Sequence, residues 1–330
     1  MIEIQSTSAL STVQDLGRPG ALRWGVGTSG AMDPMALAAG NLLLGNDEGD
    51  AAIEIQVFPY QVAFEVDCLF AVTGANTDAQ LDGQPVLPWW RTHARAGQTL
   101  RLHTPGGGPS AACRAYLCLA GGVAVEPVLG SRSTQLRGAF GGWQGRALRQ
   151  GDRLPIGRPG LETGSLELQG GFGLVPPAVD MPLQVDGLPA VRVLPAAEHD
   201  RYTAASAQAF WSQPWKITAQ SDRYGYRLAG EPLEPLAPME LLSHGIVPGV
   251  IQVPPSGQPI VQMRDAQPSG GYPKFGTVIE ADLWRLGQAP IGSRIRFLQT
   301  TWEEAVDAQA QNLRWLARAR HFIDLWHTRT

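Results

Sequence analysis

The sequence predicts a mainly β protein made of two related halves, with few helices and a helix at the C-terminal end. Three observations carry this expectation. First, strand-like alternation recurs: in AAIEIQVFPYQVAFEVDCLFAVTG (51–74) apolar residues fall at Ile53, Ile55 and Val57, then at Val62, Phe64 and Val66, the period of a half-buried strand. Second, the 39 glycines and 26 prolines are scattered rather than periodic, which suits many short strands joined by tight connections. Third, the halves echo one another in the same order. VQDLGRPG (13–20) answers AQSDRYGYR (219–227), LDGQPV (81–86) answers PSGQPI (255–260), and RAGQTLRL (95–102) answers PIGSRIRF (290–297). Short strands with few helices point to barrels or sandwiches. We bound the first β domain at 1–165 and the second at 166–300, followed by a helix over 301–330. RPGLETG (158–164) and VPPAVDMP (175–182) are the possible joints.

The individual elements follow from local chemistry. QTLRLHT, RAYLCLAGG, SLELQGG (165–171) and VRVLP read as further strands. DPMALAAGNLLLGN (33–46) opens with Asp33 as a cap and Pro34 at the first helical position, so a helix starts there. AASAQAFWSQ (204–213) predicts a short helix. The longest is predicted over 301–326, where Thr301 and Glu304 have capping-box spacing and apolar residues recur at helical intervals.

Composition excludes several classes. A chain of 330 residues exceeds the ~250–300 at which single cores stop growing, consistent with two domains. A net charge of −4 with 17% charged residues leaves no basic stripe for nucleic acid, and 44% hydrophobic residues exclude disorder. Met1-Ile2-Glu3-Ile4 lacks a basic and apolar leader, and no run of ~18 apolar residues predicts a membrane span, so a cytoplasmic protein is expected. Cys68, Cys113 and Cys118 lie in apolar, strand-like surroundings and read as reduced core residues. No P-loop, H-E-x-x-H or G-x-S-x-G motif is present, and the dispersed histidines predict no metal site. TPGGGPS (104–110) reads as a hairpin loop, since no strand-loop-helix context surrounds it.

Four stretches hold more polar and glycine residues than a fold alone needs. In QDLGRPGALRWGVGTSGAMD (14–33), Ser29 and Gly30 lead into the first helix; either the amides cradle an anion or Ser29 and Asp33 only cap and turn. TGANTDAQLDG (73–83) offers Asn76, at a ligand or in a turn. QSDRYGYRLAG (220–230) offers Arg223, Tyr226 and Arg227, for carboxylate or phosphate recognition or as an ion-paired strand. QPIVQMRDAQPSGGYPKFGTV (258–278) offers Asp265, Gln267, Tyr272 and Lys274. Apart from Lys216, Lys274 is the only lysine in the chain, and it sits on a glycine-rich turn, as a phosphate contact, a tuned proton carrier or an ordinary surface lysine.

Taken together, STVQDLGRPG, SGAMDP, VLGSRSTQLRGAFGGWQGRALRQGD, QSDRYGYRL, IQVPPSGQPIV and GGYPK, in this order over residues 11–274, resemble the KipA family. That family is also called allophanate hydrolase subunit 2 or the biotin-dependent carboxyltransferase family, and it includes the C component of bacterial ATP-dependent 5-oxoprolinases. The resemblance implies two cyclophilin-like β-barrel domains and a KipI-like partner, the B component. In the 5-oxoprolinase members the B and C components use ATP, shared with the partner, to phosphorylate the lactam oxygen of 5-oxoproline, and a LamB/YcsF-like A component completes ring opening to L-glutamate. Alternatives within the resemblance are a carboxyltransferase component of a urea amidolyase-like enzyme and a non-catalytic regulator of a KipI-like kinase inhibitor. No A-M-K-M biotin acceptor or ATP-grasp segment is present, so biotin is not expected on this chain. His244 stands where an acidic residue is common in the family. On this reading Arg223 and Arg227 are anion clamps, Lys274 meets phosphate or a developing oxyanion, and Asp265 orients a cation or handles a proton. Asp265, Lys274 and Arg223 are thus the catalytic candidates. Ser29, Gly30, Asn76, Tyr226, Arg227, Gln267 and Tyr272 are the substrate-binding candidates.

Overall fold

In the computed structural model, which describes residues 1–107, 111–159 and 171–328, the predicted strand segments break at turns into short strands. The first half contains β1 (Ile2–Ser6), β2 (Thr12–Gln14), α1 (Pro34–Leu43), β3 (Ala52–Ile55), β4 (Tyr60–Phe64), β5 (Cys68–Gly74), β6 (Gln80–Leu81), β7 (Gln84–Pro85), β8 (Arg91–Ala94), β9 (Thr99–Leu102), β10 (Ala115–Leu119) and β11 (Arg153–Leu154). One sheet runs β11-β1-β4-β9-β6-β7 and the other β2-β3-β10-β5-β8. Alternate residues from both meet in one core, with Ile2, Ile4, Ile53, Ile55, Val62, Phe64, Phe70 and Val72 all buried. On the other face of the second sheet, Leu37 and Leu43 of α1 join Ala52, Leu69, Tyr116 and Cys118. β10 is therefore covered on both sides, and all five of its residues are buried.

The second half contains α2 (Pro177–Asp180), β12 (Gln184–Val185), β13 (Leu188–Pro195), α3 (Ala204–Ser212), β14 (Trp215–Ile217), β15 (Gly225–Ala229), β16 (His244–Gly245), β17 (Val250–Gln252), β18 (Ile260–Gln262), β19 (Ser269–Gly270), β20 (Lys274–Val278), α4 (Leu283–Gln288), β21 (Arg294–Gln299) and α5 (Trp302–Thr328). Its ladder runs β12-β13-β20-β17-β18-β15-β14-β21, and β21 then pairs back in parallel with β13, from Ala190 opposite Arg296 to Val193 opposite Gln299. The ring from β13 to β21 is thus a closed barrel without an unpaired edge. Val191, Val193, Tyr226, Ile251, Val261, Phe275 and Phe297 fill it, and α3 contributes Phe210, stacked on Phe297 with ring centroids 4.8 Å apart. Burying each such side chain is worth about 1.5–3 kcal/mol.

The expected helix starts are present. Asp33 accepts from the Ala36 amide at 2.9 Å with Pro34 beginning α1. At α5 the Thr301 amide donates to Glu304 at 3.1 Å while the Glu304 amide donates to the Thr301 hydroxyl at 3.2 Å, a reciprocal box. From there α5 returns to the first half, where Trp315, Ala319 and Ile323 pack beside α1. Cys68, Cys113 and Cys118 are free thiols, and burial pushes Cys68 up to about 11 and Cys118 up to about 12, which keeps both in the unreactive thiol form. Among the described residues no helix is long and apolar enough to cross a membrane. The expected domain boundary at 165/166, residues 165–170 of the expected SLELQGG strand and residues 108–110 of the TPGGGPS loop lie outside the described residues.

Candidate functional site

Inside the barrel wall of β15, β18 and β17, Tyr226, Val261 and Ile251 belong to the core. By the two-residue period of a strand their neighbours must point outward. Those outward positions are Gly225 and Arg227 on β15, Ile260 and Gln262 on β18, and Gln252 on β17. All five line one hollow of about 510 Å³, faced from the first half by Leu10, Gln56, Leu136 and Arg137. Gln220, Asp222, Arg223, Tyr224, Asp265, Gln267 and Tyr272 complete its polar lining.

Two arginines and a set of amides define its chemistry. Arg227 is exposed, and among the described residues its guanidinium has no ion-pair partner. Arg137 is also exposed; its Nη1 donates to the Tyr224 hydroxyl at 2.5 Å, its guanidinium lies over the Tyr224 ring, and the same hydroxyl donates to Gln267 Oε1. Gln262 Nε2 donates to Gln252 Oε1 at 3.0 Å, whereas Gln262 Oε1 is buried without a partner. A buried amide oxygen left unpaired is an acceptor in want of a donor. Beside the carboxylates of Asp222 and Asp265, the hollow thus offers two exposed cations and neutral amides to a ligand that carries both an anion and a polar N–H or C=O.

A buried charge network closes the floor. The ladder of β15 and β18 extends past their ends, with the Asp265 amide donating to Arg223 O at 2.9 Å, so residues 42 positions apart sit side by side. Arg223 Nε and Nη2 then hold the two Asp265 oxygens, each at 3.0 Å. Nη2 also donates to Gly30 O at 2.7 Å, and Nη1 reaches Glu54 Oε1 at 2.5 Å. Glu54 shares its face of β3 with Ala52, away from the Ile53 and Ile55 core, which aims it at the second half. It accepts from the Met32 amide and the Tyr116 hydroxyl, both at 2.8 Å. Burial pushes the Glu54 carboxyl up, but Arg223, then Arg114, and these hydrogen bonds outweigh it and hold it below the usual carboxylate range. Asp265 goes the other way: burial raises it, and the Arg223 charge offsets only part of that.

The expected site residues separate into groups. Arg223, Asp265, Arg227, Gln267 and Tyr272 share the hollow. Arg223 was expected as an anion clamp, but most of its N–H groups are already engaged within the protein, so it acts as a tether between the halves. Tyr226 was expected at the substrate; it is instead fully buried, its ring in the barrel core and its hydroxyl accepting from Arg114 Nη1 at 2.8 Å. Asn76 caps its own turn, accepting from the Asp78 amide at 3.2 Å, and is not part of the hollow's lining. Lys274 lies opposite Gln252 in the ladder, hence on the same outer face one strand further round. Its Nζ is 3.0 Å from Glu198 Oε2 and 2.7 Å from His244 Nε2.

At the start of α1 the amides are satisfied internally: Ser29 by Arg264 O, Ala31 by Asp15 O, Met32 by Glu54 and Asp33 by Tyr116. The capping alternative therefore describes that stretch, and no anion cradle forms on its backbone. Gly30 has φ 95°, and a Cβ there would meet the Gly17 amide at 2.9 Å, so glycine permits the two loops to pass back to back. Among the functional residues, sequence reasoning missed Glu54, Arg114, Arg137, Gln56, Gln252 and Gln262. Glu54 left a local signal, a carboxylate inside AAIEI, where every neighbour is apolar, while Arg137, Gln252 and Gln262 lie within stretches quoted above without standing out from them. Among the described residues no group of three or more His, Cys, Asp or Glu side chains is placed to hold a metal.

Residues 24–299 match the family model described as carboxyltransferase domain, subdomain A and B. The chain belongs to this carboxyltransferase-domain family. Among its relatives, the Escherichia coli (strain K12) protein named as the C subunit of 5-oxoprolinase is 44% identical over 315 residues, 96% of each chain. Its Haemophilus influenzae namesake is 40% identical over 324 residues, 98% of this chain and 99% of that one. The crystal structure of the K. lactis urea amidolyase superposes on 96% of this chain with a TM-score of 0.85 at 26% identity; the match covers 20% of that much longer chain. The carboxyltransferase-domain fold is thus used both as a chain of its own and as one segment of a large enzyme.

Proposed function

We propose that this chain is the C component of an ATP-dependent 5-oxoprolinase and that the hollow between its halves is its share of the substrate site. The observation that carries the reading is end-to-end likeness at 44% identity to a protein of that name, where the urea amidolyase match covers only a fifth of its relative. The chemistry of the hollow supports it. 5-Oxoproline presents a carboxylate and a lactam N–H and C=O. Arg227 can take the carboxylate in a bidentate fork. Gln262 Oε1, the unpartnered acceptor, suits the lactam N–H.

Activating the lactam oxygen places negative charge at that atom, and cations fixed beforehand are the largest aid to such a step. Arg137, held by Tyr224, whose hydroxyl is in turn anchored on Gln267, is pre-positioned for this role from the first half. Asp265, clamped by Arg223 through both oxygens, holds a fixed orientation at the floor. Lys274, steered by Glu198 and His244, is a rim cation next to Tyr272. In this reading a KipI-like B component closes the open side and brings most of the ATP site, a LamB/YcsF-like A component completes ring opening to L-glutamate, and the complex is cytoplasmic.

The test is turnover of 5-oxoproline with ATP, adding the three components one at a time. Loss of turnover on omitting this chain is the expected outcome. ATP-independent carboxyl transfer from carboxybiotin to urea, or a complex that binds a histidine kinase and turns over no lactam, would overturn the reading in favour of a carboxyltransferase component or a regulator.

A further inference from the structure

A second hollow, of about 400 Å³, lies behind the wall of the first. Its lining includes Asp15, Gly17, Arg18, Ser29 and Arg264. Of the consecutive residues Arg264 and Asp265, the former lines this hollow and the latter the first.

Its polar groups are incompletely satisfied, and the deficit has one sign. Arg18 is 1% exposed. Its Nε donates to Val128 O at 3.1 Å and its Nη2 to Ser133 O, while Nη1 is buried without a partner. Arg264 Nη2 pairs with the exposed Glu280 at 2.7 Å, while its Nε is buried and unpartnered. Ser29 is 1% exposed; its hydroxyl lies near Asp265 but in no hydrogen-bonding geometry, and its φ of 52° is a left-handed value that a serine adopts only under constraint. The acid in the same hollow has no acceptor left for these donors. Asp15 is saturated by the Gly17 amide at 2.7 Å, the Ser131 hydroxyl at 2.6 Å, the Arg132 amide at 2.5 Å and the Ser133 hydroxyl. Burial pulls the Arg18 guanidinium below its ordinary value, with Asp15 and Asp265 offsetting only part of the effect.

We propose that this hollow binds a small oxyanion, of phosphate or bicarbonate size, between Arg18 and Arg264 with Ser29 Oγ as a third donor. Buried unpaired donors are rare because they are costly, and an oxyanion with several acceptor oxygens satisfies all three at once. The site also gives the QDLGR and SGAMD stretches a role that the substrate hollow does not use. The inference does not rest on the 5-oxoproline reading, which would stand or fall by turnover.

Calorimetric titration of the full chain with inorganic phosphate, and separately with bicarbonate, tests it. One saturable site is expected for at least one of the two, and the tighter anion names the source. Arg264→Met and Ser29→Gly, the latter compatible with the positive φ, should each weaken that binding about tenfold through loss of one charge-assisted bond. An Arg137→Ala/Arg227→Ala double variant should leave it unchanged. Absence of saturable binding of either anion in the millimolar range would overturn the proposal. So would binding that survives Arg264→Met and Ser29→Gly but disappears in the double variant, since that would place the anion in the substrate hollow.

Discussion

Arg223 and Arg227 are four residues apart on one strand approach, yet they occupy opposite physical worlds. Arg223 is 4% exposed and gives its N–H groups to Asp265, Glu54 and Gly30, joining the two halves. Arg227 faces the hollow, and among the described residues its guanidinium has no ion-pair partner. The difference teaches that residue type does not assign a role: the same side chain is scaffold when its valences are filled and recognition element when they are open. The acids of the junction divide in a parallel way. Glu54, between two arginines, stays ionised below the usual range. Asp33 is equally buried, but its hydrogen-bond donors are neutral, the Ala36 and Met35 amides and Gln288 Nε2 at 2.8 Å, and burial pushes it up to about 6.

The largest expected effect is on the scaffold side. Glu54→Gln removes the anion shared by Arg223 and Arg114 and should cost about 3–5 kcal/mol, the usual result of breaking a buried pair from one side. Urea denaturation checks it, and a loss under about 1 kcal/mol would mean the network is not what holds the halves.

Asp33 should make stability depend on pH. Its folded value lies above the unfolded one, so the native state binds the extra proton between about pH 4 and pH 6, and stability should fall as pH rises through that window. The shift from 3.8 to about 6 corresponds to about 3 kcal/mol at most. Asp33→Asn, which keeps a capping oxygen, should flatten this part of the stability–pH curve.

On the recognition side, Arg227→Ala should leave the unfolding midpoint within about 0.5 kcal/mol while lowering kcat/KM for 5-oxoproline ten- to a hundredfold, about 1.4–2.7 kcal/mol, mostly through KM. If it instead destabilises the fold without touching KM, the contrast with Arg223 is lost. The smallest effect belongs to Thr301→Ala, which removes half of the capping box of α5 and should cost about 1 kcal/mol in thermal unfolding.

Much of the fold was legible because it is written in local patterns. The 51–74 alternation became β3, β4 and β5, the Asp33-Pro34 pair began α1, and the Thr301 and Glu304 spacing closed as a reciprocal cap. The hollow was only half legible. Arg227, Asp265, Gln267 and Tyr272 stood in glycine-rich stretches that drew attention. Gln252 and Gln262 sit in ordinary strands, and only the barrel's inside-outside phase reveals that they share a face. Tyr226 misled for the same reason, since its phase is inward. Arg114 and Arg137 depend on first-half segments meeting the second half, a juxtaposition that no local pattern encodes.

α5 begins in the barrel half and lays Trp315, Ala319 and Ile323 against the α1 layer of the other. During synthesis the amino-terminal half therefore leaves the ribosome with an oily flank bare, and that flank is covered only after residues 302–323 have emerged. A chain stalled before that point would display a sticky surface to chaperones.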